Sequence, residues 1–131
     1  MVKHILCVCI KNAATSQIVE GFFNFLNKDP DYTAISAGLK ETERIDPEAI
    51  EAMSERGIDI SKQKPKLLTF EMISKSHRIV TMGCIDQCPA APPEKTEEWE
   101  LADASGKPME VLREVRDEIE KRVKEPASTL E

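Results

Sequence analysis

The sequence predicts an α/β protein with three layers, α/β/α, built on a four-stranded parallel sheet. Short apolar segments that fit buried strands alternate with segments whose apolar residues repeat at helical spacing. The first strand candidate, residues 3–10, is almost entirely apolar, which is typical of a strand covered on both faces. Such alternation joins parallel strands through right-handed crossover helices. We expect one domain over residues 1–126 and a short tail over residues 127–131.

The first strand leads through a short polar loop into an amphipathic helix. Residues 11–15 form the loop, and Ser16 is the predicted N-cap of the helix. A second strand over residues 32–37 ends at Gly38, where the chain is expected to turn. The helix is predicted from apolar residues that share one of its faces, namely Ile18, Val19, Phe22, Phe23 and Leu26.

A second helix is predicted from the residues at its two ends. Asp46 serves as N-cap, Pro47 occupies the first helical position and Gly57 lies just past the end. Residues 58–68 are polar and contain a proline, so we expect a loop there, followed by a short helix near residues 69–74.

The last part of the chain supplies the other two strands and the terminal helix. Residues 78–82 predict the third strand, and a short fourth strand is expected around Trp99. Between them, residues 83–96 contain prolines and two cysteines, which indicates a long irregular segment beyond the third strand. Residues 109–124 predict an amphipathic helix, and Pro126 terminates it.

Composition argues against several classes of function. With 24 acidic and 18 basic side chains the net charge is -6, so attraction to nucleic acid or to an anionic membrane is not expected. No apolar run approaches the roughly 18 residues of a membrane-spanning helix, and Lys11 and Asn12 come too early for a secretory signal. Four cysteines are too few for a disulfide scaffold. We therefore expect a cytoplasmic protein whose cysteines serve as core residues, metal ligands or redox groups.

The loop after the first strand is predicted to be an oxyanion site. Cys9 lies at the carboxyl end of this strand, where open α/β sheets bind their ligands. The backbone N–H groups of the next residues can surround an anion, and the helix N-terminus adds partial positive charge. A cysteine in this setting has a lowered pKa and is nucleophilic, whereas Cys7 fits a buried core residue. The predicted oxyanion-binding residues are Ile10, Lys11, Asn12, Ala13, Ala14, Thr15 and Ser16.

Several segments, spread over most of the chain, carry a family resemblance. They are ILCVCIKNAATSQIVEGFF, SAG at residues 36–38, GIDIS at 57–61, IVTMGC at 79–84 and WELADASG at 99–106. In this order they resemble the low-molecular-weight protein tyrosine phosphatases and the arsenate reductases that share their fold. The arsenate-reductase branch is the better match, because TMGCIDQCP carries two additional cysteines, Cys84 and Cys88.

The resemblance implies a mechanism and its partners. Cys9 would attack the arsenic of arsenate, Cys84 would attack the resulting adduct, and Cys88 would complete a disulfide with Cys84, although the order within this pair stays open. Thioredoxin, glutaredoxin or a low-molecular-weight thiol would reduce that disulfide. Asp103 would act as general acid. No metal and no other cofactor is required.

The chain departs from the family at two positions. Thr15 stands where the family has arginine, so a bidentate grip on the oxyanion worth ~1.5–3 kcal/mol is missing. Lys11 could restore a point charge without the planar fork. Ala104 follows Asp103 where the family has proline. Two alternatives therefore stay open, a low-molecular-weight protein tyrosine phosphatase and a catalytically weak module that binds oxyanions or senses oxidants.

A zinc site is a less favoured interpretation of the four cysteines. The spacings Cys-x-Cys at Cys7 and Cys9 and Cys-x3-Cys at Cys84 and Cys88 would supply four thiolate ligands. We expect Cys7 and Cys9 to point to opposite faces of the first strand. This expectation argues against a metal shared by both.

Overall fold

A four-stranded parallel sheet forms the centre of the protein in the computed structural model, which describes residues 2–40, 42–82, 93–101, 104 and 106–124. The strands are β1 (Lys3–Cys9), β2 (Tyr32–Gly38), β3 (Ser76–Met82) and β4 (Thr96–Trp99). The helices are α1 (Thr15–Leu26), α2 (Pro47–Ser54), α3 (Phe70–Lys75) and α4 (Met109–Lys124). Neighbouring strands are parallel in the order β2-β1-β3-β4, so the predicted fold class is confirmed.

The central position of β1 brings three strand ends together. β1 pairs with β2 on one side, where Cys9 lies opposite Gly38, and with β3 on the other side, where Val8 lies opposite Thr81. Because all three strands run in the same direction, the loops that leave them meet at one edge of the sheet. This edge carries the loop after Cys9.

The two faces of the sheet are covered unequally. One face buries Ile5 and Val80 in a large core cluster to which α1, α2 and α4 contribute, while Leu6 and Ile79 belong to a smaller cluster with Ile73 of α3 on the opposite face. The alternation along β1 results from the two-residue period of a strand. Within the described ranges, no helix has the length and apolar character needed to cross a bilayer.

Cys7 and Cys9 lie on the same face of β1. Both belong to the large core cluster, together with Ile5. Side chains two residues apart in a strand point the same way, so the expectation that the two cysteines face opposite sides is wrong. Strand geometry therefore gives no argument against a zinc site. In the part of the chain that the structure describes, no group of three or more His, Cys, Asp or Glu side chains could hold a metal ion.

Two helix boundaries differ from those predicted. α1 begins at Thr15 with Ala14 as its N-cap residue and without a side-chain cap, so the prediction that Ser16 is the N-cap is wrong. The Ser16 hydroxyl is instead held by Cys9 and Asn12. α2 starts at Pro47 as predicted but ends at Ser54, and the chain then turns through the next three residues.

The other elements agree with the predictions to within a few residues. α4 has the predicted bounds, and α3 is capped by Thr69, whose hydroxyl accepts a hydrogen bond from Met72 N at 3.1 Å. β3 begins at Ser76, two residues earlier than predicted. Of the segment predicted to be irregular, residues 83–92 lie outside the described residues, and a 3-10 turn over Pro93–Lys95 leads into β4 at Thr96.

Candidate active site

The Cys9 sulfur is held by the loop that begins beside it. Asn12 N donates to Cys9 Sγ at 3.1 Å, and Ser16 Oγ lies 2.8 Å from the same sulfur. Ser16 Oγ also accepts a hydrogen bond from Asn12 Nδ2 at 2.7 Å, so its own proton is available to the sulfur. Two donors and the N-terminus of α1 thus surround Cys9, a setting that can hold negative charge. The residue itself is only 3% exposed.

Asn12 holds the loop in its curled conformation. Its φ is 56°, in the left-handed region that asparagine tolerates better than most residues. The buried side chain makes contacts in three directions: Nδ2 donates to Ser16, while Oδ1 accepts from Gln17 Nε2 at 3.0 Å and from Lys66 N at 2.9 Å. These bonds join the loop, the first turn of α1 and a distant segment of the chain.

Gly38 leaves room for the loop beside β2. A β-carbon at this position would lie 2.8 Å from Lys11 C and 2.9 Å from Asn12 N, which is closer than carbon atoms approach such groups. Gly38 is also fixed from its other side, because its N donates to Lys66 O at 2.8 Å and its O accepts from Leu68 N at 2.8 Å. The lack of a side chain at Gly38 therefore allows the backbone of the loop to pack directly against β2.

A second layer of polar groups supports the loop. Gln17 Nε2 donates to Asn12 O at 3.1 Å, and Gln63 Nε2 donates to Gln17 Oε1 at 2.8 Å and to Gln17 O at 3.1 Å. Sequence reasoning missed Gln17, Gln63 and Lys66 as residues of the site. Gln17 adjoins the predicted loop and could have been included, whereas 46 residues separate it from Gln63.

Thr15 ties the loop to the segment after β4. The Thr15 side chain is 1% exposed, and its Oγ1 accepts a hydrogen bond from Ala104 N at 3.1 Å. The same two regions are linked again through Asp46, whose N donates to Ala13 O at 2.9 Å and whose Oδ2 accepts from Gly106 N at 2.8 Å. Thr15 thus holds a neighbouring backbone segment.

A buried carboxyl lies behind the site. Ser36 Oγ donates to Glu20 Oε1 at 2.6 Å, and burial raises the pKa of Glu20, although the Ser36 hydrogen bond and the charge of Lys66 lower it in part. Burial also raises the pKa of the Cys7 thiol well above its ordinary value, with further contributions from Glu20 and Cys9. Cys7 is fully buried in the core, as predicted.

The predicted oxyanion-binding residues lie together, but the other predicted residues lie outside the described part of the chain. Ile10 O accepts from Leu39 N at 2.8 Å, Lys11 is exposed, and the rest of the loop through Ser16 is buried. The predicted general acid and the predicted cysteine pair, Asp103, Cys84 and Cys88, are outside the described residues. The described site is therefore Cys9 and the loop that follows it.

Comparison with proteins of known sequence agrees with the resemblance in the five segments. Residues 4–131 match the family model described as low molecular weight phosphotyrosine protein phosphatase. Arsenate reductase 1 of Staphylococcus haemolyticus (strain JCSC1435) is 38% identical over 131 residues, which cover 98% of this chain and 97% of that protein.

Two solved structures share the fold and represent both branches of the family. The thioredoxin-dependent arsenate reductase of Corynebacterium glutamicum superposes with a TM-score of 0.81 and 32% identity, over 98% of this chain and 62% of that one. A low molecular weight protein tyrosine phosphatase from T. tengcongensis also gives a TM-score of 0.81, with 28% identity over 92% of this chain and 95% of that one. The match over nearly the whole sequence, the shared fold and the cysteine loop lead to one conclusion: the chain belongs to the low molecular weight phosphotyrosine protein phosphatase family, whose fold it shares with arsenate reductases.

Proposed function

We propose that this protein is a thiol-based arsenate reductase in which Cys9 is the nucleophile and residues 10–16 bind the oxyanion. The observation that carries the proposal is the contact of Cys9 Sγ with Asn12 N and Ser16 Oγ at the N-terminus of α1. A thiolate stabilised in this way is ready to attack an electrophilic centre held by the same loop. The likeness to proteins named arsenate reductase supports arsenate as the substrate.

The first step joins sulfur to arsenic. The Cys9 thiolate attacks As(V), a sulfur–arsenic bond forms, and an arsenic–oxygen bond breaks as water leaves. Asp103 is the proposed source of the proton for that leaving oxygen. The amides of the loop and the α1 N-terminus stabilise the negative charge on the remaining oxygens.

The next two steps move electrons among three sulfurs. The Cys84 thiolate attacks the Cys9 sulfur to form a Cys9–Cys84 disulfide, and the electron pair of the sulfur–arsenic bond leaves with arsenic, which departs as arsenite. Cys88 then attacks Cys84, so that a Cys84–Cys88 disulfide forms and the Cys9 thiolate is released. The four-residue spacing of Cys84 and Cys88 is compatible with a disulfide if the segment is tightly turned.

A dithiol protein completes the cycle. We propose thioredoxin as the reductant, with a glutaredoxin or a low-molecular-weight thiol as alternatives, because one similar structure is described as thioredoxin-dependent. Such reductants belong to the cytoplasm, where we place the protein. We take residues 1–126 as the single domain that carries the whole reaction.

Ester hydrolysis is the second candidate function. The family model and the likeness to a tyrosine phosphatase favour it, and the chemistry needs only the cysteine, the loop and an acid. Thr15 in place of arginine weakens the grip on any tetrahedral oxyanion, so it lowers the expected rate of both reactions. The cysteine pair has a use in reduction alone, which is why we favour reduction.

The test is an arsenate reduction assay with thioredoxin and thioredoxin reductase, repeated with glutaredoxin and glutathione. Cys9→Ser, Cys84→Ser and Cys88→Ser are each expected to lower turnover by at least about 100-fold. Cys7→Ala is the matched control, because its thiol is buried in the core and is expected to take no part. An aryl phosphate is assayed in parallel.

Each pattern of results favours one function. Dependence of arsenate turnover on all three cysteines supports the relay. Hydrolysis of the aryl phosphate that needs Cys9 but neither Cys84 nor Cys88, without arsenate turnover, would replace our proposal by the phosphatase. Phosphate binding without turnover in either assay would make the protein a binding module.

A further inference from the structure

One segment beside the Cys9 loop is strongly basic although the chain as a whole is acidic. Residues 60–70 contain Lys62, Lys64 and Lys66 and no carboxylate, in a protein of net charge -6. Residues 42–48, whose Asp46 N donates to Ala13 O of the loop at 2.9 Å, contain three carboxylates and one guanidinium. The loop therefore contacts two segments of opposite charge, and an anion is attracted toward the lysines.

Backbone hydrogen bonds fix the basic segment against the loop. Lys66 N donates to Asn12 Oδ1 at 2.9 Å, and Lys66 O accepts from Gly38 N at 2.8 Å. Three residues earlier, Gln63 Nε2 donates to Gln17 Oε1 at 2.8 Å. Lys66 is thus bonded to the residue whose own N–H contacts the Cys9 sulfur.

Three lysine side chains supply positive charge there. Lys66 Nζ donates to Lys64 O at 3.0 Å, and its charge acts on the Glu20 carboxyl behind the loop. Lys64 and Lys11 are exposed, and Lys11 belongs to the loop itself. Among the described residues none of the three takes part in an ion pair within 4.0 Å. An anion can therefore be attracted by these charges without breaking an ion pair among the described residues.

Thr15 leaves the loop without a fixed guanidinium. Its hydroxyl accepts from Ala104 N, so this side chain is engaged in holding the segment after β4. A tetrahedral dianion still needs compensating positive charge beyond what neutral amides provide. Ammonium groups act as point charges, and they attract an anion without the directional fork of an arginine.

We propose that Lys11, Lys64 and Lys66, here called the lysine rim, attract and hold tetrahedral dianions at the Cys9 loop, whose residues 10–16 include no arginine. The inference rests on the proposed function for the identity of the substrate, but it concerns binding and is tested without turnover. Charge-based binding has two consequences. Affinity falls steeply with salt, and phosphate, arsenate and sulfate bind in the order of their charge at the assay pH.

The experiment measures phosphate binding by the full chain. Inorganic phosphate is titrated while the backbone amide signals of Asn12 and Ala13 are followed by NMR, at about 20 mM and about 200 mM ionic strength. The rim variant is Lys11→Gln, Lys64→Gln and Lys66→Gln combined. The control variant is Lys3→Gln, Lys28→Gln and Lys121→Gln combined, which removes the same net charge near the opposite edge of the sheet.

The rim variant is expected to bind phosphate about 10- to 50-fold more weakly at low salt, and the loss should shrink several-fold at high salt. The control variant should change the affinity by less than about 2-fold, because Lys3 lies at the start of β1, Lys28 just after α1 and Lys121 in the last turn of α4, away from the Cys9 loop. If Lys66→Gln disturbs the loop, the double variant Lys11→Gln, Lys64→Gln tests the charge without it and should still weaken phosphate binding about 4-fold. Lys66→Arg keeps the positive charge and should leave the Asn12 amide signal unchanged.

Several results would overturn the lysine rim. These are equal affinities of wild type and rim variant, equal losses in rim and control variants, or no binding of phosphate by the wild type up to about 50 mM. Rim-dependent phosphate binding without arsenate turnover would instead contradict the proposed function and leave the rim intact. Cysteine-dependent turnover with an unchanged KM in the rim variant would contradict the rim alone.

Discussion

Two cysteines on β1, both buried on the same face of the strand, differ in the groups that surround their sulfurs. Cys7 is fully buried, and burial raises the pKa of its thiol well above the ordinary value. Cys9, two residues further along the same face, contacts Asn12 N and Ser16 Oγ beside the N-terminus of α1. Residue type and strand are the same, so we expect the loop and helix at the end of β1 to make Cys9 the more reactive thiol.

The largest expected effect is the difference in the alkylation rates of these two thiols. In the double variant Cys84→Ser, Cys88→Ser, which retains Cys7 and Cys9 alone, iodoacetamide at neutral pH should modify Cys9 at least about 1000-fold faster than Cys7. Peptide mapping of the modified protein measures both rates. In denaturant the two rates should become equal. Similar rates in the folded protein would contradict this expectation, because the loop would then not make Cys9 more reactive than Cys7.

Gly38→Ala is expected to affect the Cys9 thiol indirectly, through the loop. The new β-carbon would meet Lys11 C at 2.8 Å and Asn12 N at 2.9 Å, so the loop must move away from β2. We expect Cys9 alkylation to slow about 10- to 100-fold and the free energy of unfolding to fall by about 1–3 kcal/mol.

Gly57→Ala is the control for the loss of stability. Gly57 has φ of 76° and no heavy atom of a neighbour within 4 Å of the added carbon. Its substitution should cost about 1 kcal/mol of stability through backbone strain while the alkylation rate stays the same. A normal rate of Cys9 alkylation in Gly38→Ala would show that the close packing of residue 38 against Lys11 and Asn12 does not control the conformation of the loop.

Ser16→Ala removes one of the two donors to the Cys9 sulfur. We expect the alkylation rate at neutral pH to fall about 10-fold, because one charge-assisted hydrogen bond to the thiolate is lost and Asn12 Nδ2 loses its acceptor. The pH dependence of alkylation measures the effect, which should diminish at high pH where the thiol is deprotonated anyway. Ser54→Ala, at the exposed end of α2, is the control. An unchanged profile would assign the sulfur's reactivity to the amide and the helix alone.

The fold was largely predictable from the sequence because its signals are local. The unbroken apolar run of β1, the helical spacing in α4 and the Asp46–Pro47 pair each describe a few neighbouring residues. The place of the site was predictable as well, since Cys9 ends the first strand of a parallel sheet and ligands bind at that edge.

The contacts that shape the site were not predictable, because they join residues distant in sequence. Asn12 bonds with Lys66, 54 positions away, and Thr15 bonds with Ala104, 89 positions away. No local pattern reports such a pair. The prediction of the α1 N-cap was wrong for a related reason. Ser16 has the side chain of a good N-cap, but its hydroxyl is hydrogen-bonded to the Cys9 sulfur and to the Asn12 side-chain amide.

Thr15→Val tests the link between the loop and the segment after β4. The variant keeps the shape of the side chain but leaves the Ala104 N–H without its acceptor in a buried place, which should cost about 1–3 kcal/mol of unfolding free energy. Urea unfolding and the hydrogen-exchange rate of the Ala104 amide measure the loss. Thr15→Ser keeps the hydroxyl and should protect that amide nearly as well as the wild type. Equal protection in Thr15→Val would mean that this bond contributes nothing.

The smallest expected effect concerns Glu20, whose carboxyl contributes to raising the pKa of Cys7. Burial raises the pKa of Glu20 in the folded protein above its ordinary value of 4.5. Between pH 4.5 and this raised pKa, the folded state therefore keeps a proton that the unfolded state has released. Stability contributed by the protonated carboxyl is therefore present below pH 4.5 and is lost as the pH rises through the folded value. Glu20→Gln keeps an acceptor for Ser36 Oγ and has no charge to bury. Its Tm relative to wild type should thus rise from pH 4 to pH 7, whereas a constant difference would mean that the buried carboxylate carries no cost.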